Sequence, residues 1–378
     1  MQNLPAQILE SSAQDEVMAV SELKNSLKVS HLAGLLFFCS SSYQLQKLAV
    51  AIDDAFDCPV IGCTTSGEIG KKYRSGSIVA LALSTSYFAL HSVLLTNIRD
   101  FDQENATQSV KKMEQDLVFS SYYSNDKMFG FLLSDGLAMQ EEKIISTVYQ
   151  ALGGMDVFGG SAGDDLKFKQ TYVFFEGQFY SNAAITAVVE VTVDIDLFSL
   201  QHFAPSEKEL ITTDVDYKNR LVYEINGEPA AIAYAKINDL NVNDLSNKDF
   251  AMYPLMLSLN DEWYIRSIAN VNADNSLSFY CAIDSGLPLT IGSGICMVEN
   301  LENQVAKIVA EFKEIYFTLG CDCIFRQLEI AEKKQFREIE SLLSQLNFIG
   351  FSTYGEQLNG VHINQTLVAI VVGEKYEQ

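Results

Sequence analysis

The sequence predicts an α+β protein of two domains, with mixed sheets built from duplicated strand–helix–strand–turn–strand units. Three observations support this. First, a glycine-rich motif occurs three times: GCTTSGE from Gly62, GGSAGDD from Gly159 and GFSTYGE from Gly350. Second, each motif follows an apolar run and a helical pattern, and each precedes another strand-like run. Third, 378 residues are many for one hydrophobic core, so two domains are expected.

In the first unit, the apolar run from Leu32 to Cys39 predicts a strand. The stretch from Tyr43 to Phe56 predicts a helix, because Leu48 and Ile52 fall on one helical face. The Gly62 motif then leads into a further strand-like run, from Ile78 to Leu83.

The second unit repeats this plan. A turn at Ser120 to Asp126 comes before the strand-like run Met128 to Leu133, and Lys143 to Leu152 predicts a helix. After the Gly159 motif, Thr171 to Phe175 predicts a strand. Ala184 to Leu197 alternates apolar and polar residues, as expected of a half-buried strand.

The third unit closes the chain, with a strand at Ile315 to Leu319, a single helix from about Glu329 to Leu346, and a strand at Thr366 to Val372. The best domain boundary lies at Phe203 to Ser206, which gives domains of residues 1–203 and 204–378. The segment just beyond it, Glu207 to Arg220, is charged and contains few core-forming residues.

Composition excludes several classes of protein. A formal charge of −23 argues against affinity for nucleic acid or anionic lipid. Seven scattered cysteines predict buried thiols in a reducing compartment. The amino terminus does not have the pattern of a signal peptide, and the apolar window Gly76 to Leu95 predicts two strands, not a membrane span. We therefore expect a cytoplasmic protein without membrane insertion.

The motifs themselves suggest a ligand site. Their glycines permit tight turns and close backbone approach, and successive N–H groups with nearby hydroxyls would form a donor-rich concavity. The hydroxyl groups are those of Thr64, Thr65 and Thr353. Glu68 and Glu356 end two of the motifs, and each could accept hydrogen bonds either from a ligand or from its own turn.

Three cysteines and one histidine could take part in nucleophilic catalysis or metal binding. Cys63 is either a nucleophile or a buried thiol, and Cys321 with Cys323 forms either a weak metal pair or two buried thiols. His362 follows the third motif and could ligate haem iron, donate to a ligand or bond within its own turn. Phosphate-loop, dinucleotide-binding and serine-hydrolase motifs are absent from the sequence.

The sequence resembles the FIST sensory proteins, which pair an N-terminal with a C-terminal FIST domain. The Gly62 motif resembles the N-domain signature, and the stretch from Phe158 to Asp164 resembles its second signature. Cys323 to Arg326 resembles a Cys-x-x-Arg element of the C-domain, and Arg266 fits its arginine-bearing strand. The closing signature is also present, with Ile363 between His362 and Asn364 where the family commonly has His and Asn adjacent.

The resemblance implies a non-enzymatic sensor that binds a small ligand between its domains and regulates a partner such as a histidine kinase. Some bacterial members resemble haem proteins that sense nitric oxide in two-component systems, and others are thought to bind small molecules such as amino acids. From the residues and the resemblance together, we expect these ligand contacts: Cys63, Thr64, Thr65, Glu68, Asp164, Arg266, Arg326, Thr353, Tyr354 and Glu356, with His362 as a haem ligand.

Two functions from other classes stay open at this point. A hydrolase or transferase would use the loop carboxylates and hydroxyls for catalysis. A scaffold would dock a kinase on the acidic surface. The sequence does not identify the ligand, the partner or the oligomeric state.

Overall fold

The computed structural model describes residues 4–118, 127–259 and 262–377. The turn expected at Ser120 to Asp126 lies outside them. The chain divides into two compact units. The larger unit comprises Met1–Ser199, Leu301–Val361 and Leu367–Gln378, and the smaller unit comprises Leu200–Asn300 and His362–Thr366.

Helices and strands alternate through the larger unit. The helices along the described chain are α1 (Glu16–Ser26), α2 (Leu45–Ala55), α3 (Gln103–Val118), α4 (Glu141–Ala151), α5 (Ala230–Ile237), α6 (Asn247–Met252), α7 (Met297–Glu311), α8 (Ile324–Glu332) and α9 (Phe336–Ser344). None of these helices is long and apolar enough to cross a membrane.

The strands are more numerous. In chain order they are β1 (Ala6–Ser11), β2 (Leu32–Ser40), β3 (Val60–Thr65), β4 (Glu68–Ile69), β5 (Tyr73–Arg74), β6 (Ile78–Ser84), β7 (Phe88–Thr96), β8 (Met128–Ser134), β9 (Val157–Ser161), β10 (Val173–Phe175), β11 (Gln178–Tyr180), β12 (Ala183–Val191), β13 (Asp194–Leu200), β14 (Phe203–Asp216), β15 (Leu221–Ile225), β16 (Glu228–Pro229), β17 (Leu255–Leu259), β18 (Glu262–Arg266), β19 (Ile268–Val271), β20 (Leu277–Phe279), β21 (Pro288–Gly294), β22 (Phe312–Cys323), β23 (Phe348–Thr353), β24 (Glu356–Leu358), β25 (Val361–Ile363) and β26 (Leu367–Lys375).

The larger unit contains three mixed sheets with one common plan. Their strand orders are β1-β6-β2-β3-β10-β11, then β7-β12-β8-β9-β24, then β13-β26-β22-β23-β4-β5. In each sheet a parallel pair (β2/β3, β8/β9 or β22/β23) lies beside an antiparallel return strand. The prediction of an α+β fold with duplicated units and mixed sheets is therefore confirmed.

The repeats exchange their short strands in a closed cycle. After the first motif, β4 and β5 join the sheet of the third repeat, where Glu68 pairs with Phe351. After the third motif, β24 joins the sheet of the second repeat, and after the second motif, β10 and β11 join the sheet of the first. This exchange brings the three motif turns together inside the larger unit.

The first glycine of every motif has the same physical role. A Cβ atom on Gly62 would lie 2.4 Å from the Phe37 carbonyl oxygen. On Gly159 and Gly350 it would lie 2.0 Å from the carbonyl oxygens of the neighbouring parallel strands. Because backbone atoms cannot move aside cheaply, only glycine fits at this point of each repeat.

Helices cover the sheets of the first two repeats and bury apolar cores. The α2 face predicted from its spacing is buried, with Leu48 and Ile52 packed in the core of the first repeat. In the second repeat, Val110 of α3 and Ile145 of α4 pack on Leu132 of β8 and its neighbours. Burial of these apolar stripes stabilises the repeats.

Three expected elements differ from the structure. The prediction of a single helix from Glu329 to Leu346 is wrong, because Lys334 adopts a φ of 57° and separates α8 from α9. Ala184 to Leu197 forms two strands, β12 and β13. The charged segment from Glu207 forms most of β14, a strand whose inward residues, including Leu210 and Thr212, are buried between exposed ones.

The smaller unit is mainly antiparallel sheet. Its strands follow the order β18-β17-β21-β14-β15-β20-β19, and its core includes Tyr234, Phe250 and Leu255. Along the chain it separates β13 from most of α7, so it interrupts the third repeat. The compact units therefore differ from two consecutive segments, and the domain limits 1–203 and 204–378 stay a prediction.

Candidate functional site

The three motif turns are joined through their backbones. Ser66 N–H donates to the Ser352 carbonyl at 3.0 Å, and Ser352 N–H donates to the Gly67 carbonyl at 2.8 Å. Ser161 N–H of the second turn donates to the Gly355 carbonyl of the third at 2.8 Å. Several of the N–H groups expected to face a ligand are thus used between turns.

The two motif glutamates bond to threonines of their own turns. Thr65 Oγ1 donates to Glu68 Oε1 at 2.5 Å, and Thr353 Oγ1 donates to Glu356 Oε1. Ser77 completes the Glu68 site, because its N–H and hydroxyl donate to Oε2 at 3.0 and 2.7 Å. Both carboxyl groups are fully buried. Of the two roles open from sequence, these contacts match the tying down of the turn.

Burial raises the pKa of Glu68 to about 7. Hydrogen bonds from Thr65 and Ser77 oppose this shift, and the charge of Asp165 adds to it. A carboxyl group of this pKa changes its protonation near neutral pH.

The second turn is built differently. Ala162 stands where the other turns have threonine, and Asp164 organises the segment that follows. Its Oδ1 accepts hydrogen bonds from the Tyr354 hydroxyl and from Phe168 N–H at 2.8 Å. Its Oδ2 accepts from the N–H groups of Lys169 and Gln170 at 2.7 and 3.0 Å. Burial acts to raise the pKa of Asp164, but these donors outweigh it and lower the pKa below its usual value.

The segment held by Asp164 has a strained backbone. Asp165, Leu166 and Phe168 have φ angles of 56°, 61° and 49°, a region that non-glycine residues seldom adopt. The exposed Phe168 ring stacks on Tyr354 with 4.8 Å between ring centroids. Strain maintained by a buried carboxylate marks this loop as a candidate functional element.

A polar cavity of about 220 Å³ lies beside this loop. It is lined by Arg99, Asp135, Leu137, Lys169, Gln170, Thr171 and Ser181. Asp135 is its buried acidic residue, and it accepts hydrogen bonds from the Thr171 hydroxyl and from Leu137 N–H at 2.9 Å. The cationic side chains of Arg99 and Lys169 and the carboxylate of Asp135 are suited to a small ligand that carries one negative and one positive group.

A larger groove of about 630 Å³ lies between α1 and α2. Its lining includes Val17, Val20 and Val50 together with Lys24 and Lys47. It contains no motif residue, so we do not place the functional site there.

Cys63 and Thr64 have structural contacts. Cys63 is fully buried, and burial raises the pKa of its thiol well above the usual value, which disfavours the nucleophilic thiolate. Thr64 Oγ1 accepts a hydrogen bond from Tyr172 N–H at 3.1 Å, where β10 joins β3. Cys321 and Cys323 are buried too, and the described residues contain no cluster suited to a metal ion.

Arg326 belongs to a buried ion pair. Its Nε donates to Asp322 Oδ1 at 2.6 Å, and the Tyr73 hydroxyl donates to Asp322 Oδ2 at the same distance. Arg326 and Asp322 are almost completely buried. These contacts connect α8 to β22 and β5.

Arg266 and His362 lie in the smaller unit. Arg266 Nη1 donates to the His362 carbonyl oxygen at 2.9 Å, and both residues are buried. Eight of the eleven predicted site residues thus fall into two groups, whereas Cys63, Thr64 and Arg326 have the separate contacts described above. The structure joins Thr65, Glu68, Asp164, Thr353, Tyr354 and Glu356 through the motif turns of the larger unit, and Arg266 and His362 contact each other in the smaller one.

Sequence reasoning missed the residues that line the polar cavity. Asp135 had a detectable signal, because it follows the apolar strand β8 directly, at the edge where ligands commonly bind. Arg99, Lys169 and Thr171 lie on connecting segments, and only the folded chain brings them together.

The fold and these contacts define an α+β protein with three fused repeats, a constrained loop and a small polar cavity. The chain belongs to the FIST family: the FIST N domain matches residues 34–228 and the FIST C domain matches residues 230–359. FIST domains are sensory ligand-binding domains of signalling proteins. No curated protein matches the chain.

Among solved structures, the chain is similar to the crystal structure of cyanuric acid hydrolase from A. caulinodans. The two share 6% identity over 98% of this chain and 99% of the other, with a TM-score of 0.40. This likeness is too weak to indicate an activity.

Proposed function

We propose that this protein is a non-enzymatic sensor that binds a small zwitterionic metabolite, such as an amino acid, in the polar cavity beside the Asp164 loop. The observation that carries the proposal is the lining of that cavity. Arg99 and Lys169 supply donors for a carboxylate, and Asp135 supplies an acceptor for an ammonium group. A volume of about 220 Å³ suits a ligand of this size.

The same loop provides a route for the signal. Lys169 and Gln170 line the cavity, and their N–H groups are also bonded to Asp164. Asp164 in turn holds Tyr354 and the exposed Phe168. Ligand binding that shifts this loop would change the surface shown to a partner, for which a histidine kinase is our candidate.

The test is isothermal titration calorimetry of the full chain against the individual standard amino acids. We expect one or a few to bind, and the Lys169→Met and Arg99→Gln variants to bind those about 10-fold or more weakly, since each loses a charge-assisted hydrogen bond. Lys167→Met is the matched control, because Lys167 lies on the same loop and bonds instead to Ser41. Equal affinity in wild type and both cavity variants would refute this site.

Haem with nitric oxide is a second candidate ligand, which the residues around His362 do not favour. The His362 side chain is 2% exposed and lines neither of the two cavities described above. Its segment also carries the polar Asn364 and Gln365, whereas a porphyrin needs a broad apolar slot. A Soret band in haemin-treated protein that His362→Ala alters would support haem nevertheless.

A hydrolase or transferase based on the motif residues is also less well supported. The hydroxyls of Thr65 and Thr353 donate to buried glutamates, so neither is positioned as an accessible nucleophile. Loss of turnover of a substrate in Glu68→Gln or Glu356→Gln, without loss of thermal stability, would favour an enzyme.

A further inference from the structure

Arg266 carries a buried positive charge in the smaller unit. It is 7% exposed and lies at the end of β18. No ion pair joins its guanidinium to a carboxylate among the residues described here, and its Nε has no hydrogen-bond acceptor among them. Leaving a buried charge unpaired costs several kcal/mol. This arrangement therefore indicates an anion that the chain itself does not supply.

The groups that hydrogen-bond to Arg266 and to the next residue, among the described residues, are uncharged. The Arg266 guanidinium donates to a carbonyl oxygen, that of His362, at 2.9 Å. The next residue, Ser267, accepts a hydrogen bond from Gln365 Nε2 at 3.0 Å, and its N–H lies 3.5 Å from Asn364 Oδ1. Hydroxyl and amide groups can orient an anion, but they do not neutralise the arginine.

The open edge of the guanidinium defines the class of anion. Nη1 donates to the His362 carbonyl and the buried Nε has no acceptor among the described residues, so the edge of the guanidinium formed by Nε and Nη2 is the one left for an anion. Two parallel donors match the two oxygens of a carboxylate. A single negative charge neutralises Arg266, whereas a dianion such as phosphate would leave a buried excess charge.

We propose that Arg266 binds the carboxylate of a small monocarboxylic acid. This site belongs to the smaller unit and does not depend on the polar cavity or on the function proposed for it. Because Arg266 and its neighbours are almost fully buried, the acid has to be small, and formate and acetate are the appropriate probes.

The test measures thermal unfolding of the full chain with increasing sodium acetate or sodium formate, with sodium chloride used to hold ionic strength constant. We expect the melting temperature of the wild type to rise with the carboxylate. Line broadening of ¹³C-acetate in the presence of the protein gives the dissociation constant directly. Arg266→Gln should weaken binding about 10- to 100-fold, and Arg266→Lys should also weaken it, because lysine lacks the planar fork.

Arg220→Gln is the matched control, since Arg220 is another buried arginine of the smaller unit and donates to the Tyr280 carbonyl at 2.6 Å. It should keep the acetate response even if its melting temperature falls. If Arg266→Gln does not fold, the titrations of Arg266→Lys and of the wild type test whether Arg266 binds the carboxylate. The proposal is overturned by a wild type that responds to neither acid, by a variant at Arg266 that binds as tightly as wild type, or by tighter binding of phosphate than of acetate.

Discussion

At the scale of single residues, repetition in sequence corresponds to repetition of contacts. Glu68 and Glu356 each accept a hydrogen bond from the threonine three residues earlier, and both are fully buried. The sequence showed that the two glutamates share a geometric task. Its nature required coordinates, because the same letters fit a ligand contact and a turn contact equally well.

Glu68 should make stability depend on pH. Its folded-state pKa is raised to about 7, whereas an unfolded glutamate ionises near 4.5. Between these values the folded protein holds a proton that the unfolded chain has lost, so the free energy of unfolding should fall as pH rises from about 4.5 to about 7, and level off above. The pKa difference corresponds to about 3 kcal/mol.

Urea denaturation across this pH range checks the prediction. Glu68→Gln should remove most of this decrease, because an amide does not ionise. Glu338→Gln, at an exposed position in α9, is the control and should keep the wild-type profile. Parallel profiles for wild type and Glu68→Gln would show that another group causes any pH dependence.

At the scale of elements, the first glycine of each motif fixes how a strand lies beside its parallel neighbour. We expect Gly159→Ala to lower the free energy of unfolding by at least about 1–3 kcal/mol, because the new methyl group would lie 2.0 Å from the Leu132 carbonyl oxygen. The urea midpoint measures the change.

Gly294→Ala is the control for this substitution. Gly294 also lies in a strand, but a methyl group there would meet its nearest atom, of Phe203, only at 3.7 Å. Gly294→Ala should therefore lower the free energy of unfolding only slightly. Equal losses at Gly159 and Gly294 would show that the close approach to Leu132 is not the cause.

Strands and helices with strong periodicity could be predicted from the sequence. The face of α2 and the strand β2 are examples, since burial of apolar residues sets both patterns. The exchange of short strands could not be predicted, because Glu68 and Phe351 pair through backbone groups that every residue has. The break at Lys334 was also missed, because the polar run from Glu332 to Gln335 contains neither glycine nor proline to mark the end of a helix.

The candidate site was predicted in part. Asp164 and Tyr354 were singled out as motif residues, and they bond to each other although 190 positions separate them. Asp135 and Lys169 were not, since the cavity they line is formed by segments with no shared sequence pattern. Motifs identify residues constrained by close backbone packing more readily than residues that surround an open space.

At the scale of the larger unit, the cyclic exchange makes every repeat part of its neighbour. The first repeat completes the sheet of the third, the third completes that of the second, and the second completes that of the first. A repeat that unfolds alone would remove a strand from another sheet and expose that edge. The three repeats should therefore unfold as one cooperative unit, unlike linear repeat arrays in which neighbours open in sequence.

Hydrogen exchange tests this cooperativity. Gly62→Ala should strain the first repeat, because its methyl group would lie 2.4 Å from the Phe37 carbonyl oxygen. If the repeats are one unit, the slowest amides of β3, β9 and β23 should all lose protection by the same free energy, about 1–3 kcal/mol. Gly350→Ala, in the third repeat, should produce the same pattern, while Gly294→Ala should leave these amides unchanged. Faster exchange confined to the substituted repeat would mean that the exchanged strands do not couple the repeats.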